Sequence, residues 1–441
     1  MRITSKSRSC LSAAAFALVA STAGQALAAP CPKNLPNSIY GGGGSAVTPT
    51  LGKIAARLST LNQADNGADP IHIFYADPSA CTGYDYLANP SKGKPTTFKY
   101  WVDGNSTPIV CEADGTEEFT FGHMGNTPKL CSGQQDVDAA EKPTGRFVWP
   151  VQSINFITDF DSAQHSISAE AIYHIFGLGA ANGGVAPWTQ PAATFSRSAT
   201  SFVHLIIAGA VGVPATNFKV PNGNVLSTND LTVQYVYEWQ EGNPDRGVAA
   251  GGDPNQPLGY VSGSNADAGE EAGRVKTLAY KHYDQSCGYL PDSDRGKKDK
   301  LNVRNGQYAL WTPAWLYARV DEAGRPTDPN VERLIRYVDG TLASPRGANI
   351  VDEVIASGDV PLCAMNAIRP EGDLSAIQSF APSEPCHGYF DFKTSGSSSL
   401  TSCEDDDDCS GKEKCRGFET LVVEEEGEEP VEKFVGFCEA Y

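Results

Sequence analysis

Residues 38–61 have the sequence SIYGGGGSAVTPTLGKIAARLSTL, in which a short apolar segment leads through four glycines into an amphipathic segment. Ser38-Ile39-Tyr40 predicts a strand, and Thr48-Pro49 predicts a helix start because threonine is favoured as a cap and proline in the first turn. The apolar residues that follow recur at helical spacing: Leu51, Ile54, Ala55, Leu58 and Leu61. The stretch therefore predicts a strand, a glycine turn and a helix with one buried face.

The same order repeats in residues 71–87, IHIFYADPSACTGYDYL. Residues 71–76 predict a strand, and the loop at 77–83 precedes a short helix that Asn89-Pro90 ends. Repeated units of this kind predict an α/β fold with a mostly parallel sheet. Their loops gather at the carboxyl edge of the strands, where open α/β folds bind ligands.

The N-terminus has the pattern of a secretory signal peptide. Arg2, Lys6 and Arg8 precede an apolar run at residues 11–20, and Ala26-Leu27-Ala28 predicts cleavage after Ala28. We therefore expect residues 1–28 to be removed and the protein to be secreted, to the periplasm or outside the cell. No other stretch approaches the ~20 apolar residues of a membrane-spanning helix, so no membrane insertion is expected.

Charge and cysteine content narrow the functional classes. The formal net charge is −19, and loss of the signal peptide makes it more negative, so nucleic acid is a poor partner. Eleven of the twelve cysteines follow the signal peptide, which predicts disulfides with one thiol left over, and Cys111 and Cys131 are expected bridge members. No zinc-ligand spacing, phosphate-binding glycine loop or serine-nucleophile motif occurs, so we expect no metal, no cofactor and no enzymatic activity.

Residues 399–441 differ from the rest of the chain. They hold four cysteines and an acidic run at 424–429, and they follow a serine-rich linker at 394–399. A segment so short is expected to depend on disulfides, and its four cysteines allow three pairings that the sequence does not decide. A second acidic run, from Glu404 to Asp408, either binds calcium or forms a solvated loop between disulfides.

The remaining sequence predicts further elements between residues 97 and 320. Ser168 is the expected cap of a helix that Gly177 ends, and residues 302–320 are expected to form buried core. The other expected elements are strands at 97–102, 117–121, 231–239 and 258–262, an extended apolar segment at 147–160, and a helix from Phe202 to about Gly212.

Six motifs carry a resemblance to a known family. They are GGGGSAVTP at 41–49, SACTG at 79–83, SISAEAIYHIFGLG at 166–179 followed by GGVAPWTQP at 183–191, RSATS at 197–201, LGYVSG at 258–263, and NVRNGQYALW at 302–311 followed by VPLCAM at 360–365. In this order they resemble the phosphate-binding proteins of ABC importers, which are type 2 periplasmic binding proteins. The resemblance extends from about residue 38 to residue 392.

The resemblance implies two α/β lobes with a ligand cleft between them, joined by two extended crossings. The expected crossings are residues 151–160 and the region just after 258–262. Lobe 1 is then discontinuous, comprising residues 29–150 and 263–398, and lobe 2 comprises residues 151–262.

The resemblance also implies that four loops hold an oxyanion. Ser45 and Ala46 match the first loop, and Ser79 and Thr82 lie in the second, where Ala80 replaces the expected serine. The third loop, residues 121–126, lacks the family's acid, although His123 could attract an anion. The fourth loop supplies Arg197, Ser198, Thr200 and Ser201. The family's Ser-Gly-Thr matches either residues 198–200 or residues 201–203, so either Ala199 or Phe202 replaces the glycine and should crowd the site. The residues of this loop also have the pattern of an ordinary helix cap.

Two functions follow from the resemblance and its departures. The first is an exported protein that binds a small oxyanion, phosphate or an analogue, with ABC importer membrane subunits as partners. The alternative is an extracellular structural or partner-binding protein that keeps the fold, has lost the phosphate site and binds another protein.

Overall fold

The computed structural model describes residues 28–131, 143–422 and 431–440. The predicted signal peptide lies outside the described residues except for Ala28, and so does the acidic run at 424–429. None of the described helices is long and apolar enough to cross a membrane.

The strands are distributed along the whole described chain. In order they are β1 Ala29–Pro30, β2 Ser38–Gly43, β3 His72–Ala76, β4 Thr97–Tyr100, β5 Ile109–Glu112, β6 Phe121–Met124, β7 Thr144–Asp159, β8 Ser166–Ser168, β9 Ser196–Arg197, β10 Val225–Leu226, β11 Gly259–Ser262, β12 Val275–Thr277, β13 Ala279–Lys281, β14 Trp311–Arg319, β15 Ala367–Ile368, β16 Gln378–Ser379, β17 Ser402–Cys403, β18 Lys414–Val422 and β19 Val431–Glu439.

The α-helices alternate with these strands. They are α1 Thr48–Ser59, α2 Gln63–Asn66, α3 Ala80–Ala88, α4 Ala169–Ile172, α5 Ala180–Gly183, α6 Phe202–Val211, α7 Asn229–Glu241, α8 Gly263–Glu271, α9 Leu301–Arg304, α10 Pro329–Val338, α11 Ile350–Ala356 and α12 His387–Ser395. The mixture of helices with a large sheet confirms the predicted α/β class.

Ten strands form one sheet in the order β1-β5-β4-β3-β2-β6-β14-β7-β11, with β12 also paired to β7. The predicted β-loop-α units lie at its centre, where β2 is parallel to both β3 and β6. The prediction of a mostly parallel sheet is wrong, because β14 and β7 add antiparallel pairs on one side, as do β4 and β5 on the other. These pairs join segments far apart in sequence, so no local sequence pattern predicts them.

Strand β7 connects two parts of the molecule. Its first part, up to Ser153, pairs with β14, and its second part, from Ile154, pairs with β11 and β12. We call the side from β1 to β14 lobe 1 and the side of β11 and β12 lobe 2. The apolar segment predicted at 147–160 is this strand, and the predicted lobe boundaries stay a prediction. Because β12 still pairs with the lobe 2 part of β7, the pairing favours a return to lobe 1 between β13 and β14, later than residue 263.

Three local predictions are wrong in detail. Residues 117–120 of the strand predicted at 117–121 are not in a strand, since β6 begins at Phe121. The strand predicted at 231–239 is part of helix α7, which Thr228 caps by accepting a hydrogen bond from Leu231 N. Thr232, Val233 and Val236 have β-branched side chains that suit a strand, but they are buried at helical spacing. The cap of α1 is Val47, since Thr48 is already helical.

The helix predicted to end at Gly177 begins as expected and ends later. Ser168 Oγ accepts a hydrogen bond from Ala171 N at 3.2 Å, which confirms the predicted cap. The helix then continues as a π-helix, Tyr173–Leu178, and ends at Gly179, whose φ of 91° favours glycine.

Five disulfides join ten of the eleven cysteines that the structure describes, and the eleventh, Cys287, is exposed and unbridged, which accounts for the predicted odd thiol. The bridges are Cys31–Cys111, Cys81–Cys131, Cys363–Cys386, Cys403–Cys415 and Cys409–Cys438. The last two lie within the C-terminal segment and confirm a disulfide-rich module.

The C-terminal module is a three-stranded sheet, β17-β19-β18, that packs on helix α12. Phe437 lies against Gly388, whose N–H donates to Glu439 Oε1 at 2.7 Å. The predicted serine-rich linker is partly wrong, because α12 extends to Ser395. In the acidic turn Asp408 accepts a bond from Glu404 N and Asp406 pairs with Lys414, which favours a solvated loop over a calcium site.

Candidate functional site

The first predicted loop lies between β2 and α1 and faces lobe 2. Ser45 Oγ accepts a hydrogen bond from Arg197 Nη2 at 3.3 Å, so the first and fourth loops meet across the cleft. Ala46 is buried, and its carbonyl accepts a bond from Gln152 Nε2 at 3.1 Å. The loop is thus held in place from both lobes.

A buried carboxyl group, that of Asp359, holds the residues that position this loop. Asp359 accepts hydrogen bonds from Thr50 Oγ1 and from Gln152 Nε2, the amide that also binds the Ala46 carbonyl. Burial raises the pKa of Asp359 to about 7, against the opposing effect of these two donors. The support of the first loop therefore depends on a group that titrates near neutral pH.

The second predicted loop satisfies its own polar groups. Ser79 Oγ caps helix α3 by accepting from Thr82 N at 3.1 Å, and it donates to Thr82 Oγ1 at 2.9 Å. Ala80, which replaces the expected serine, is fully buried. The two predicted ligand residues of this loop therefore contact each other in the structure.

The third predicted loop contributes buried groups without a charge. His123 is 2% exposed, and burial lowers its pKa to about 3, so the imidazole is neutral at physiological pH. A neutral imidazole has no positive charge to attract an anion, so the structure does not support that role for His123, which stays a prediction. The disulfide Cys81–Cys131 ties the end of this region to the helix of the second loop.

Arg197, in the fourth predicted loop, is surrounded by hydrogen-bond acceptors of the protein. Within lobe 2 its guanidinium donates to Leu226 O at 3.1 Å, to Ser227 O at 2.7 Å and to Asn229 Oδ1. Burial lowers the pKa of Arg197 to about 10, which leaves it charged. Its donors are thus directed mainly at the chain itself.

The other predicted residues of the fourth loop are not directed at Ser45. Ser198 is half-buried and lies 3.4 Å from the exposed Thr200, hydroxyl to hydroxyl. Ser201 is buried and immediately precedes α6, without a capping bond from its side chain. Of the eight predicted ligand residues, Ser45 and Arg197 are thus the pair that the structure joins between the lobes.

Phe202, one of the two residues expected to replace the family's glycine, fills the space between the loops. It is the first residue of α6 and is 1% exposed. A Cβ placed on Gly44 would lie 3.4 Å from its ring and 3.7 Å from Ala80 Cβ, and a Cβ on Gly125 would overlap the ring. The phenyl ring therefore contacts the first and third loops and lies close to the second.

A cavity lies between the lobes, next to the first loop. Its volume is about 320 Å³, and it is lined by Ser45 and Lys53 from lobe 1 and by Asn229 and Asp230 from lobe 2. This cavity lies beside the Ser45 and Arg197 contact, and the Phe202 ring is not part of its wall.

Comparison with known proteins gives distant structural likenesses. Neither protein-family models nor curated proteins match this sequence. Among solved structures, it is similar to a putative phosphate ABC transporter substrate-binding protein with bound phosphate from Clostridium perfringens, at 13% identity and a TM-score of 0.46, over 74% of this chain and 99% of that one. It is also similar to an ABC-type phosphate transport receptor from Vibrio cholerae, at 13% identity and a TM-score of 0.41, over 73% and 99% of the two chains.

One of the similar structures is not described as a phosphate-binding protein. It is a mutant of OxyR from Corynebacterium glutamicum with hydrogen peroxide bound, at 9% identity and a TM-score of 0.37, over 74% of this chain and 67% of that one. Phosphate-binding proteins of ABC importers are thus among the solved structures with this distant likeness. Their low identities leave the ligand and function to be inferred from this chain's own residues.

Proposed function

We propose that this is an exported protein with a phosphate-binding-like fold that has lost the phosphate site and acts as a structural or partner-binding protein outside the cytoplasm. The observation that carries the proposal is the ring of Phe202, which fills the space between the first and third loops. An oxyanion needs polar donors at this place, and an apolar ring offers none.

The bonding of Arg197 supports the same conclusion. Its guanidinium is already bound by two carbonyl groups and an amide oxygen of lobe 2 and by Ser45 of lobe 1. These bonds use four of its five N–H groups, so an anion held by two parallel bonds would have to displace at least one of them, and each buried acceptor left unpaired costs about 1–3 kcal/mol. The arginine thus stabilises the contact between the lobes without a ligand.

Export is supported by the five disulfides, which persist in oxidising compartments. The C-terminal module is the proposed partner-binding element, since it packs on lobe 1 through α12 and leaves one side of its hairpin exposed. Leu421 is 59% exposed on that hairpin, and Phe434 is 36% exposed.

The second candidate is an oxyanion receptor, and one observation favours it. Ser45 Oγ and Arg197 Nη2 converge from opposite lobes beside the 320 Å³ cavity, to which Lys53 adds a positive charge. In this account the lobes open, Phe202 leaves the space between the loops, and an anion takes its place. The partners would then be the membrane subunits of an ABC importer.

One experiment separates the two candidates. The melting temperature of the mature chain is measured with and without 1 mM phosphate, sulfate or arsenate, because a ligand that binds only the folded state raises it. We expect no shift with any of the three anions. A rise of several degrees with phosphate would reject the proposed function and establish the receptor.

A further inference from the structure

A second cavity lies outside the interlobe cleft, on lobe 1 next to residues 370–375. Its volume is about 490 Å³, within the range of small-molecule sites. Its polar walls come from distant parts of the chain: Lys129, Arg146, Tyr317, Glu371, Asp373 and Ser375. We call it the Tyr317 pocket.

Tyr317 is the buried polar group of this pocket. Its side chain is 2% exposed and packs edge-on against the Tyr84 ring, with 5.0 Å between the ring centroids. Its hydroxyl has no hydrogen-bond partner among the residues that the structure describes, and neither does Ser375 Oγ. A buried hydroxyl that lacks a partner is costly, so a ligand that supplies one gains from it.

The two cations of the pocket, Arg146 and Lys129, form no close ion pair with a described residue, although both interact electrostatically with Asp373. Arg146 stacks on the Trp315 ring, 4.3 Å from its centroid, and its guanidinium donates to the carbonyls of Pro370 and Glu371 at the long distance of 3.5 Å. Lys129 is exposed and makes no ion pair with any described residue. Together they can bind a carboxylate, which an arginine can hold with two parallel bonds.

The acidic groups of the pocket accept further hydrogen bonds. Asp373 accepts from Thr127 N and from Thr127 Oγ1, each at 2.7 Å, which leaves acceptor capacity on both of its oxygens. Glu371 is exposed at the rim. Neutral hydroxyl groups can donate to these carboxylates, whereas a second anionic group would be repelled.

We propose that the Tyr317 pocket binds a sugar acid of monosaccharide size, with its carboxylate on Arg146 and Lys129 and its hydroxyls on Tyr317, Ser375 and Asp373. A sugar acid joins one carboxylate to several hydroxyls, as these walls require. The site is separate from the cleft that Phe202 fills, so the proposal does not depend on the proposed function.

The test is isothermal titration of the mature chain with D-glucuronate, and with glucose and phosphate as the comparison ligands. We expect D-glucuronate to bind in the millimolar range or tighter, and glucose and phosphate to give no measurable heat. A titration with a trimer of glucuronate distinguishes a free sugar acid from the end of a polysaccharide: tighter binding of the trimer assigns the pocket to chain ends, and weaker binding to the free acid.

Four variants test the residues. Tyr317→Phe keeps the ring and removes the unpaired hydroxyl, and Arg146→Gln removes the charge; each is expected to weaken glucuronate binding about five- to tenfold. The matched controls are Tyr308→Phe, whose hydroxyl is bound to Ile154 O at 2.7 Å, and Arg325→Gln, whose side chain is 72% exposed and pairs with Asp321. Both controls should bind glucuronate like the unchanged protein.

Three results would overturn the proposal. They are no heat with 10 mM D-glucuronate, binding of glucose as tight as that of glucuronate, or equal glucuronate binding by the Tyr317→Phe and Arg146→Gln variants and by their controls. Phosphate has its own signature, because its binding would depend on the cleft residues and not on Tyr317.

Discussion

The interlobe cleft and the Tyr317 pocket each contain an arginine and hydroxyl groups. The arginine of the cleft has most of its hydrogen bonds made by the protein, whereas polar groups of the Tyr317 pocket have unused hydrogen-bonding capacity. In the cleft, Arg197 is buried and bonded to four groups of the chain, and Phe202 fills the space between the first and third loops. In the Tyr317 pocket, Arg146 makes two long bonds and the Tyr317 hydroxyl makes none with the described residues. An arginine near a helix start is therefore insufficient evidence of a ligand site.

The comparison shows what a binding site needs beyond the right residue types. Donors must retain unused hydrogen-bonding capacity, and space must be left for the ligand. The cleft keeps the residue types of an oxyanion site but lacks both conditions around Phe202. The Tyr317 pocket meets both conditions without any motif.

The largest expected effect tests whether Phe202 is structural. Phe202→Ala removes a fully buried ring between three loops and should lower the free energy of unfolding by about 3–5 kcal/mol. Urea denaturation measures it, and Phe434→Ala, at a partly exposed phenylalanine of the C-terminal module, should cost far less. A loss below about 1 kcal/mol for Phe202→Ala would mean that the ring does not pack as described.

The same variant also tests the cleft. Removal of the ring opens space next to Ser45 and Arg197, so millimolar phosphate should stabilise Phe202→Ala more than it stabilises the unchanged protein. If phosphate leaves the melting temperature of both proteins unchanged, the remaining donors do not form an oxyanion site even when space is available.

The second effect tests the role of Arg197. Arg197→Ala leaves the Leu226 and Ser227 carbonyls and Asn229 Oδ1 without their donor and should destabilise the protein by about 3 kcal/mol. Arg325→Ala, at an exposed arginine, should change stability by less than about 0.5 kcal/mol. If the two variants are equally stable, the bonds of Arg197 do not stabilise the fold, and its guanidinium is available to bind a ligand.

Local patterns of the sequence predicted the centre of the fold. The glycines and apolar spacing of residues 38–61 predicted β2 and α1, and Ser168 was found as a cap because capping acts within one turn. The same local reasoning failed for α7, where β-branched residues suit a strand but a threonine cap and tertiary packing favour a helix. The antiparallel pairing of β14 with β6 and β7 joins segments that are distant in the chain, such as Trp315 with Met124, which one sequence does not display.

The candidate sites were less predictable than the fold, for the same reason. The sequence places Ser45 and Arg197 in two loops of one expected site, but their contact and the partners of Arg197 at residues 226–229 follow only from the tertiary structure. The sequence left open whether Ala199 or Phe202 replaces the family's glycine, and only the tertiary structure shows that the Phe202 ring lies between the loops. The Tyr317 pocket joins residues 129, 146, 317 and 373, so no motif could reveal it.

A smaller effect tests the support beneath the first loop. The pKa of Asp359 is raised from 3.8 to about 7 in the folded protein, so the folded state holds a proton there that the unfolded state has lost. The contribution of Asp359 to stability is then greatest at low pH and falls as pH rises from about 4 to about 7, by roughly 2 kcal/mol between pH 5 and pH 7.

Asp359→Asn removes this titration and keeps an oxygen that can accept from Thr50 and Gln152. Urea denaturation at pH 5 and pH 7 should therefore show a smaller loss of stability with pH in the variant than in the unchanged protein. Asp69→Asn, at an exposed aspartate, serves as the control and should leave the loss unchanged. The same slope in all three proteins would assign the pH dependence to other groups.

The smallest expected effect compares a buried hydroxyl that has a hydrogen-bond partner with one that has none. Without ligand, Tyr317→Phe removes a buried hydroxyl that has no partner in the described chain, so stability should stay the same or rise by up to about 1 kcal/mol. Tyr308→Phe removes a hydroxyl that donates to Ile154 O and should lower stability by about 1 kcal/mol. If Tyr317→Phe is the more destabilising of the two, its hydroxyl already has a partner in the protein and has no unused capacity for a ligand.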